Sequence, residues 1–278
     1  KGLGATFSAI REAGADAVLV PDLPLEEAEP LCLAAEREGI CPVLFASPTT
    51  DATRLAAICA RTRGFVYAIA HIRGGKDKGF AWYEDGKRAK KQNTFKDFVA
   101  AAHYLAKEGF TSADRIVAQG GSAGGMLMGA VANMAPEAFG GIIAEVAFVD
   151  VLNTMLDDTL PLTPPEWPEW GNPLTSAEDY DTIMAYSPYD NVADKPYPPM
   201  LITGGLSDPR VTYWEPTKWA ARLRHDAPDA GPYFLRIEME GGHGGASGRF
   251  EGLKDIALDY AFALAAMGKV DGVDFREE

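Results

Sequence analysis

At 278 residues with 47% hydrophobic content, the chain is long enough to bury a full α/β core. Its 40 acidic against 26 basic residues give a net charge of −14, which argues against a nucleic-acid partner, whose phosphates it would repel. No apolar run reaches the length of a membrane span, no signal-like segment opens the chain, and Cys32, Cys41 and Cys59 lack metal or redox spacing, so core thiols in a reducing cytoplasm are expected.

Hydrophobic patterning predicts an opening helix, then a strand at 17–20, a helix at 25–38, a strand at 42–46, a helix at 51–61 and a strand at 65–70. A helical pattern from Phe95 to Lys107 and a strand at 115–119 follow. The proline-rich stretch from Leu156 to Lys195 reads as irregular, and its length suits a cap or pocket wall better than a spacer. Beyond it come a strand at 199–204, a helix from Trp214 to Arg224 and a strand at 233–239. Repeats and low-complexity segments are absent. Gly74-Gly75-Lys76 lacks the spacing of a phosphate loop, and no His, Cys and carboxylate cluster suggests a metal, so no cofactor is expected.

Directly after the strand at 115–119 stands Gly120-Gly121-Ser122-Ala123-Gly124. This Gly-x-Ser-x-Gly pattern between a strand and a helix suits a nucleophile elbow, in which glycines at 120 and 124 are expected to remove clashing Cβ atoms. The Ala123 N–H, at a helix start, is then placed to stabilise an oxyanion. The pentapeptide also arises by chance in glycine-rich turns, so the other members of a triad decide its meaning. A serine needs a base to take its proton and an acid to orient the base. Of the four histidines, His103 and His225 fall within helical patterns, and His71 precedes the serine. His243 sits in a glycine-rich loop after the strand at 233–239, and Asp208 follows the strand at 199–204. All three candidates therefore lie at C-terminal ends of strands, where open α/β sheets place their sites.

Residues from about 63 to 268 resemble the catalytic domain of the prolyl oligopeptidase family, in its oligopeptidase B (protease II) branch. The resemblance is carried by His71-Ile-Arg-Gly-Gly75, Trp82-Tyr-Glu-Asp-Gly-Lys87, the stretch Gly120 to Gly129, Phe148 to Leu156, Glu169-Trp-Gly-Asn-Pro173, Tyr186 to Val192, Gly205 to Val211, Tyr213-Trp-Glu-Pro216 and Gly241-Gly-His-Gly-Gly245. It implies Ser122 as nucleophile, His243 as base, Asp208 as orienting acid, and cleavage of short peptides after Arg or Lys. It also implies that Glu166 is one of two glutamates binding the basic side chain. Pro168 stands where the second would be. On composition alone, the Pro161–Gly171 segment with Glu166 and Glu169 reads first as an ordinary proline-rich surface loop, and only the resemblance reverses that order. Arg210 matches an arginine that holds a substrate carbonyl, and its alternative is a salt bridge near Asp208. Acidic residues at Asp157-Asp158, Glu166, Glu169 and Glu178-Asp179 could steer basic peptides or simply keep the protein soluble.

Residues 1 to about 62 instead resemble the middle of the tryptophan synthase alpha chain, a TIM barrel, through Ala13 to Pro24, Glu26-Glu27 and Phe45 to Thr50. The segment lacks that family's catalytic carboxylates and phosphate loops, so it is expected to act as a scaffold only. The hydrolase resemblance further implies a preceding β-propeller and a tyrosine supplying a second oxyanion contact, neither of which this segment contains. In a barrel, strands 17–20, 42–46 and 65–70 would lie side by side. In a hydrolase sheet the serine-bearing strand would take the slot of 17–20, and the expectation is that 42–46 replaces the missing hydrolase strand while 17–20 is displaced.

These readings point to an α/β-hydrolase-like, mostly parallel sheet flanked by helices (63–278), preceded by a TIM-barrel-like βα segment (1–62). The expected activity is a serine peptidase acting on short basic peptides. An esterase or aminopeptidase of the same superfamily, or an inert fusion, are the alternatives.

Overall fold

The computed structural model describes residues 2–20, 22–47, 50–245, 251–270 and 275. Pro48 and Thr49 of the Phe45–Thr50 motif lie outside the described residues. The chain divides into two compact units, Lys1–His71 and Ile72–Glu278.

The first unit runs α1 (Leu3–Glu12), β1 (Ala17–Leu19), α2 (Ala28–Arg37), β2 (Cys41–Val43), β3 (Phe45–Ala46), α3 (Ala52–Arg61) and β4 (Tyr67–Ala68). The expected strand 42–46 is therefore two short strands. β1 pairs in parallel with β2, Val18 opposite Pro42, and β3 pairs in parallel with β4, Phe45 opposite Tyr67. This overturns the expectation that 17–20 would be displaced: the barrel order holds. The reason is local. α2 buries Ala28, Cys32 and Ala35 along one face, and the short connection through it returns the chain beside β1 at little loop-closure cost. Cys32, Leu44, Ala46 and Ile58 then close a small core, with Cys32 buried and Cys41 and Cys59 half-buried as free thiols. Asp51 caps α3 by accepting the Arg54 N–H at 2.8 Å.

The second unit contains α4 (Phe80–Glu84), α5 (Gln92–Lys107), β5 (Val117–Gly121), α6 (Ala123–Met134), β6 (Gly141–Glu145), α7 (Val151–Met155), α8 (Thr163–Trp170), α9 (Ala177–Met184), β7 (Met200–Gly205), α10 (Trp214–Asp226), β8 (Tyr233–Glu238) and α11 (Glu251–Ala266). Its sheet is parallel throughout in the order β5-β6-β7-β8. Both faces are covered, and the strand alternation shows it. Ile142, Ala144, Met200 and Ile202 point into the larger core with α5, α6 and α10, whereas Ile143 and Leu201 meet Phe262 and Ala266 of α11.

The stretch 156–195 is less irregular than its prolines suggest. Pro164 and Pro165 occupy the first turn of α8, where a missing N–H costs nothing, and Ser176 caps α9 by accepting the Asp179 N–H. Among the described residues, no helix is long and apolar enough to cross a membrane.

Phe95 of α5 is fully buried, with its ring 5.4 Å from that of Tyr186. Phe95→Ala is expected to destabilise this unit by about 3–5 kcal/mol, read as a lowered urea midpoint at unchanged m-value.

Candidate active site

Ser122 follows β5 and precedes α6 with φ +57° and ψ −117°, a left-handed conformation that a non-glycine residue holds only under constraint. Three backbone hydrogen bonds impose it. The Ser122 N–H donates to the Glu145 carbonyl at 2.8 Å, and the Ser122 carbonyl accepts from Met126 N–H at 3.1 Å and Phe148 N–H at 3.2 Å. Val146, next to that carbonyl, is itself at φ +39°, and its N–H donates to Thr203 Oγ1 at 3.3 Å.

The glycines act differently from expectation. A Cβ on Gly120 would lie 2.5 Å from the Gly124 carbonyl oxygen, so Gly120 is required. A Cβ on Gly124 would meet nothing within 4 Å; the second tight contact belongs to Gly125, whose Cβ would lie 2.6 Å from Ala147 Cα. Gly124 is the surface approached. Gly125 is the residue that lets α6 settle onto the turn after β6.

Asp208 and His243 come together from loops after β7 and β8. The β7 and β8 strands align Gly205 with Glu238, and beyond them Leu206 N–H donates to the Glu238 carbonyl and Ser207 N–H to the Gly241 carbonyl. The two loops therefore leave the sheet side by side. His243 Nδ1 lies 2.8 Å from Asp208 Oδ2, with the Asp208 side chain 0% exposed. The other carboxylate oxygen, Oδ1, accepts the N–H groups of Arg210 at 2.8 Å and Val211 at 3.0 Å. An ionised carboxylate only accepts, so Nδ1 carries the proton and Nε2 is left as the basic nitrogen. Ser122 is half-buried; among the described residues its hydroxyl makes no hydrogen bond to His243.

Ser122 and Ala123 open onto a cavity of about 380 Å³ whose walls include Tyr83, Phe148, Glu166, Trp170 and Arg210. Ala123 begins α6, where the first N–H groups have no acceptor within the helix. Glu166 Oε2 accepts the Trp170 Nε1–H at 2.7 Å. Glu169, also on the wall, accepts the Tyr83 hydroxyl at 2.7 Å, and this bond pushes the Tyr83 phenol up to about 12. The exposed guanidinium of Arg210 has no ion-pair partner among the described residues; only its peptide N–H reaches Asp208. Asp179 of the acidic cluster is paired internally. It is buried under Arg88 at 2.8 Å and also accepts the Asn172 N–H. His103 and His225 are exposed on α5 and α10. Among the described residues, no group of three or more His, Cys, Asp or Glu is placed to hold a metal ion.

A family model described as the prolyl oligopeptidase family matches residues 52–270. The chain belongs to the prolyl oligopeptidase family. A model of the tryptophan synthase alpha chain matches residues 1–76, overlapping the first. Among relatives, dipeptidyl aminopeptidase BI of Pseudoxanthomonas mexicana is 54% identical over 206 residues, covering 74% of this chain and 28% of the relative. Protease 2 of Moraxella lacunata is 51% identical over 221 residues, covering 80% of this chain and 31% of the relative. Oligopeptidase B from Leishmania major superposes with a TM-score of 0.71 at 46% identity, over 73% of this chain and 28% of that one. Oligopeptidase B from Trypanosoma brucei, solved with covalently bound antipain, gives 0.72 at 43% identity, over 76% and 30%. The fold is that of an α/β-hydrolase, and the chain spans less than a third of the length of these relatives.

Within this prolyl oligopeptidase fold, several wall residues carry no role from sequence reasoning, although Tyr83, Phe148, Trp170 and Glu215 all lie in quoted motifs. Glu215 is the most informative. It is 1% exposed at the start of α10 and accepts the Asp150 N–H at 2.9 Å and the Thr154 hydroxyl at 2.8 Å, so it ties α7 and the cavity wall to the helix that follows the Asp208 loop. Burial pushes its carboxyl up from 4.5 to about 7. Between those values the folded chain holds a proton that the unfolded chain has lost. The Glu215 contribution to stability is therefore fully present below pH 4.5 and is lost as pH rises through about 7. Buried Asp259 on α11 is raised to about 7, by burial first and then by neighbouring Glu145, and adds a trend of the same sign. Comparison with Glu215→Gln separates the two. The stability of wild type relative to this variant is expected to fall by roughly 3 kcal/mol between pH 4.5 and 7.5, measured by urea unfolding at each pH.

Proposed function

We propose that this chain carries the catalytic machinery of a serine peptidase that cleaves short peptides after Arg or Lys through an acyl-enzyme. The carrying observation is the Asp208–His243 pair, with a fully enclosed carboxylate bonded to Nδ1 and to two peptide N–H groups, at the same sheet end as the strained Ser122. In this reading Asp208 holds the imidazole in the tautomer that leaves Nε2 basic. Substrate binding brings His243 onto the serine hydroxyl, since such contacts tighten on complex formation. His243 takes the hydroxyl proton as Ser122 Oγ attacks the carbonyl carbon, and the Ala123 N–H stabilises the oxyanion. The imidazolium then protonates the leaving amine. Water, deprotonated by His243, attacks the acyl carbon, and the imidazolium returns that proton to Ser122 Oγ as its bond to the acyl group breaks.

Glu166 docks the basic side chain, and Arg210, exposed on the cavity wall and without a carboxylate partner for its guanidinium among the described residues, holds a substrate carbonyl. Residues 63–278 act as the catalytic domain and 1–62 as a scaffold that supplies none of these groups. The net charge of −14 suits basic peptides rather than nucleic acid, and the sparse thiols suit the cytoplasm. A second reading, removal of N-terminal dipeptides, is favoured by the 54% identity to a dipeptidyl aminopeptidase.

Stoichiometric labelling by a fluorophosphonate is expected, lost in Ser122→Ala. Asp208→Asn is expected to slow turnover of an arginine amide by about 10⁴-fold, because an amide donating to Nδ1 favours the tautomer whose Nε2 is protonated and not basic. Turnover of an N-blocked arginine amide at a rate comparable to its free-amine dipeptide analogue supports endopeptidase action. Activity confined to the free-amine substrate supports the second reading, and a folded protein that does not label rules out both.

A further inference from the structure

The two glutamates on the cavity wall differ in what they hold. Glu166 has a neutral partner, the Trp170 indole N–H at 2.7 Å. Glu169 has a cation: Lys91 Nζ lies 3.6 Å from Glu169 Oε1, and the Lys91 side chain is only 7% exposed. The same ammonium sits 4.6 Å from the centre of the Trp170 ring. Trp170 thus carries a carboxylate at its N–H edge and an ammonium over its face, and the opposite oxygen of Glu169 is taken by the Tyr83 hydroxyl. Burial pulls the Lys91 ammonium below its ordinary range, while Glu169 acts to keep it charged.

A cation entering a half-dry pocket gains most from a carboxylate that no other cation already balances. On this wall Glu166 meets that condition and Glu169 does not. Resting on the basic-pocket reading above, the geometry points to Lys91 as a specificity-determining residue: it neutralises Glu169, so that Glu166 alone receives the substrate cation. Among the described residues, the Lys91 side chain meets Glu169 and Trp170 and makes no hydrogen bond or ion pair with Ser122, Asp208 or His243. It acts by leaving Glu166 as the carboxylate of α8 that no cation balances among the described residues, which suits a single basic side chain.

This role makes predictions of opposite sign for the two partners. The probes are argininamide and its neutral isostere citrullinamide, whose binding is measured by titration calorimetry and so does not require turnover. Wild type is expected to favour argininamide. Lys91→Met releases the Glu169 carboxylate and is expected to raise the argininamide-to-citrullinamide preference by roughly three- to tenfold, a discounted value for a partly exposed charge pair. Glu169→Gln leaves Lys91 unbalanced and is expected to lower the preference by a similar factor. The double variant returns it towards wild type, and Lys91→Arg leaves it unchanged. Because loss of folding would weaken both ligands together, the preference ratio in Glu169→Gln still decides the matter if Lys91→Met does not fold. An unchanged ratio in both single variants, with wild type favouring argininamide, overturns the role of Lys91 and leaves the basic pocket standing. A wild type without preference overturns the basic pocket itself, and the role of Lys91 with it.

Discussion

The site depends on the hydrogen bond from Ser122 N–H to the Glu145 carbonyl. It joins the turn after β5 to the end of β6 and holds a serine at positive φ, a conformation that costs about 1–3 kcal/mol. The cost is sustained by what stands behind it. Five residues of β5 pair in register with β6, from Val117 opposite Gly141 to Gly121 opposite Glu145. α6, buried along most of its length, packs down on both strands because Gly120 and Gly125 allow backbone to approach backbone. Relaxing the turn would therefore require parting two neighbouring strands from their helix.

Charge placement follows from the same enclosure. An acidic protein must still keep its buried carboxylates satisfied, and each is answered by a distinct device. Asp208 uses an imidazole and two peptide N–H groups, Asp150 uses Lys218 and Asn153, and Asp179 uses Arg88 with the Asn172 N–H. Glu215 has only neutral donors, so its proton affinity rises with burial. Glu169 on the cavity wall is balanced by Lys91, whereas among the described residues Glu166 answers only to an indole N–H.

Pattern reading locates β5, β7, β8, α5 and α10 of the second unit to within a few residues because each carries its own period. It misses where periods are hidden or broken. β6 is a continuous apolar run, which periodicity alone cannot separate from other buried segments. α8 is obscured by three prolines, two of which sit harmlessly in its first turn. In the first unit, composition suits both a barrel and a hydrolase sheet. The pairing of β1 with β2 is settled by α2 packing back over its neighbours, not by any residue in either strand. The role assigned to Gly124 fails for a related reason: which Cβ would clash depends on the direction from which the backbone approaches.

The sequence by itself determined the nucleophile turn, since strand, glycine, serine and helix are contiguous and their constraints are steric and local. It also determined the candidates His243 and Asp208, by the order and type of the loops that carry them. Only the tertiary structure decided that these two meet at 2.8 Å across 35 residues, because the contact requires β7 and β8 to lie in register. Only the tertiary structure decided that Glu169 is neutralised and Glu166 is not. Both are the same residue type on one short helix, and the difference is a lysine from α5's approach, 78 positions earlier than Glu169, folded against Trp170. Charge on a residue is written in the chain, while the charge a pocket presents is set by which partners packing brings within a few ångströms.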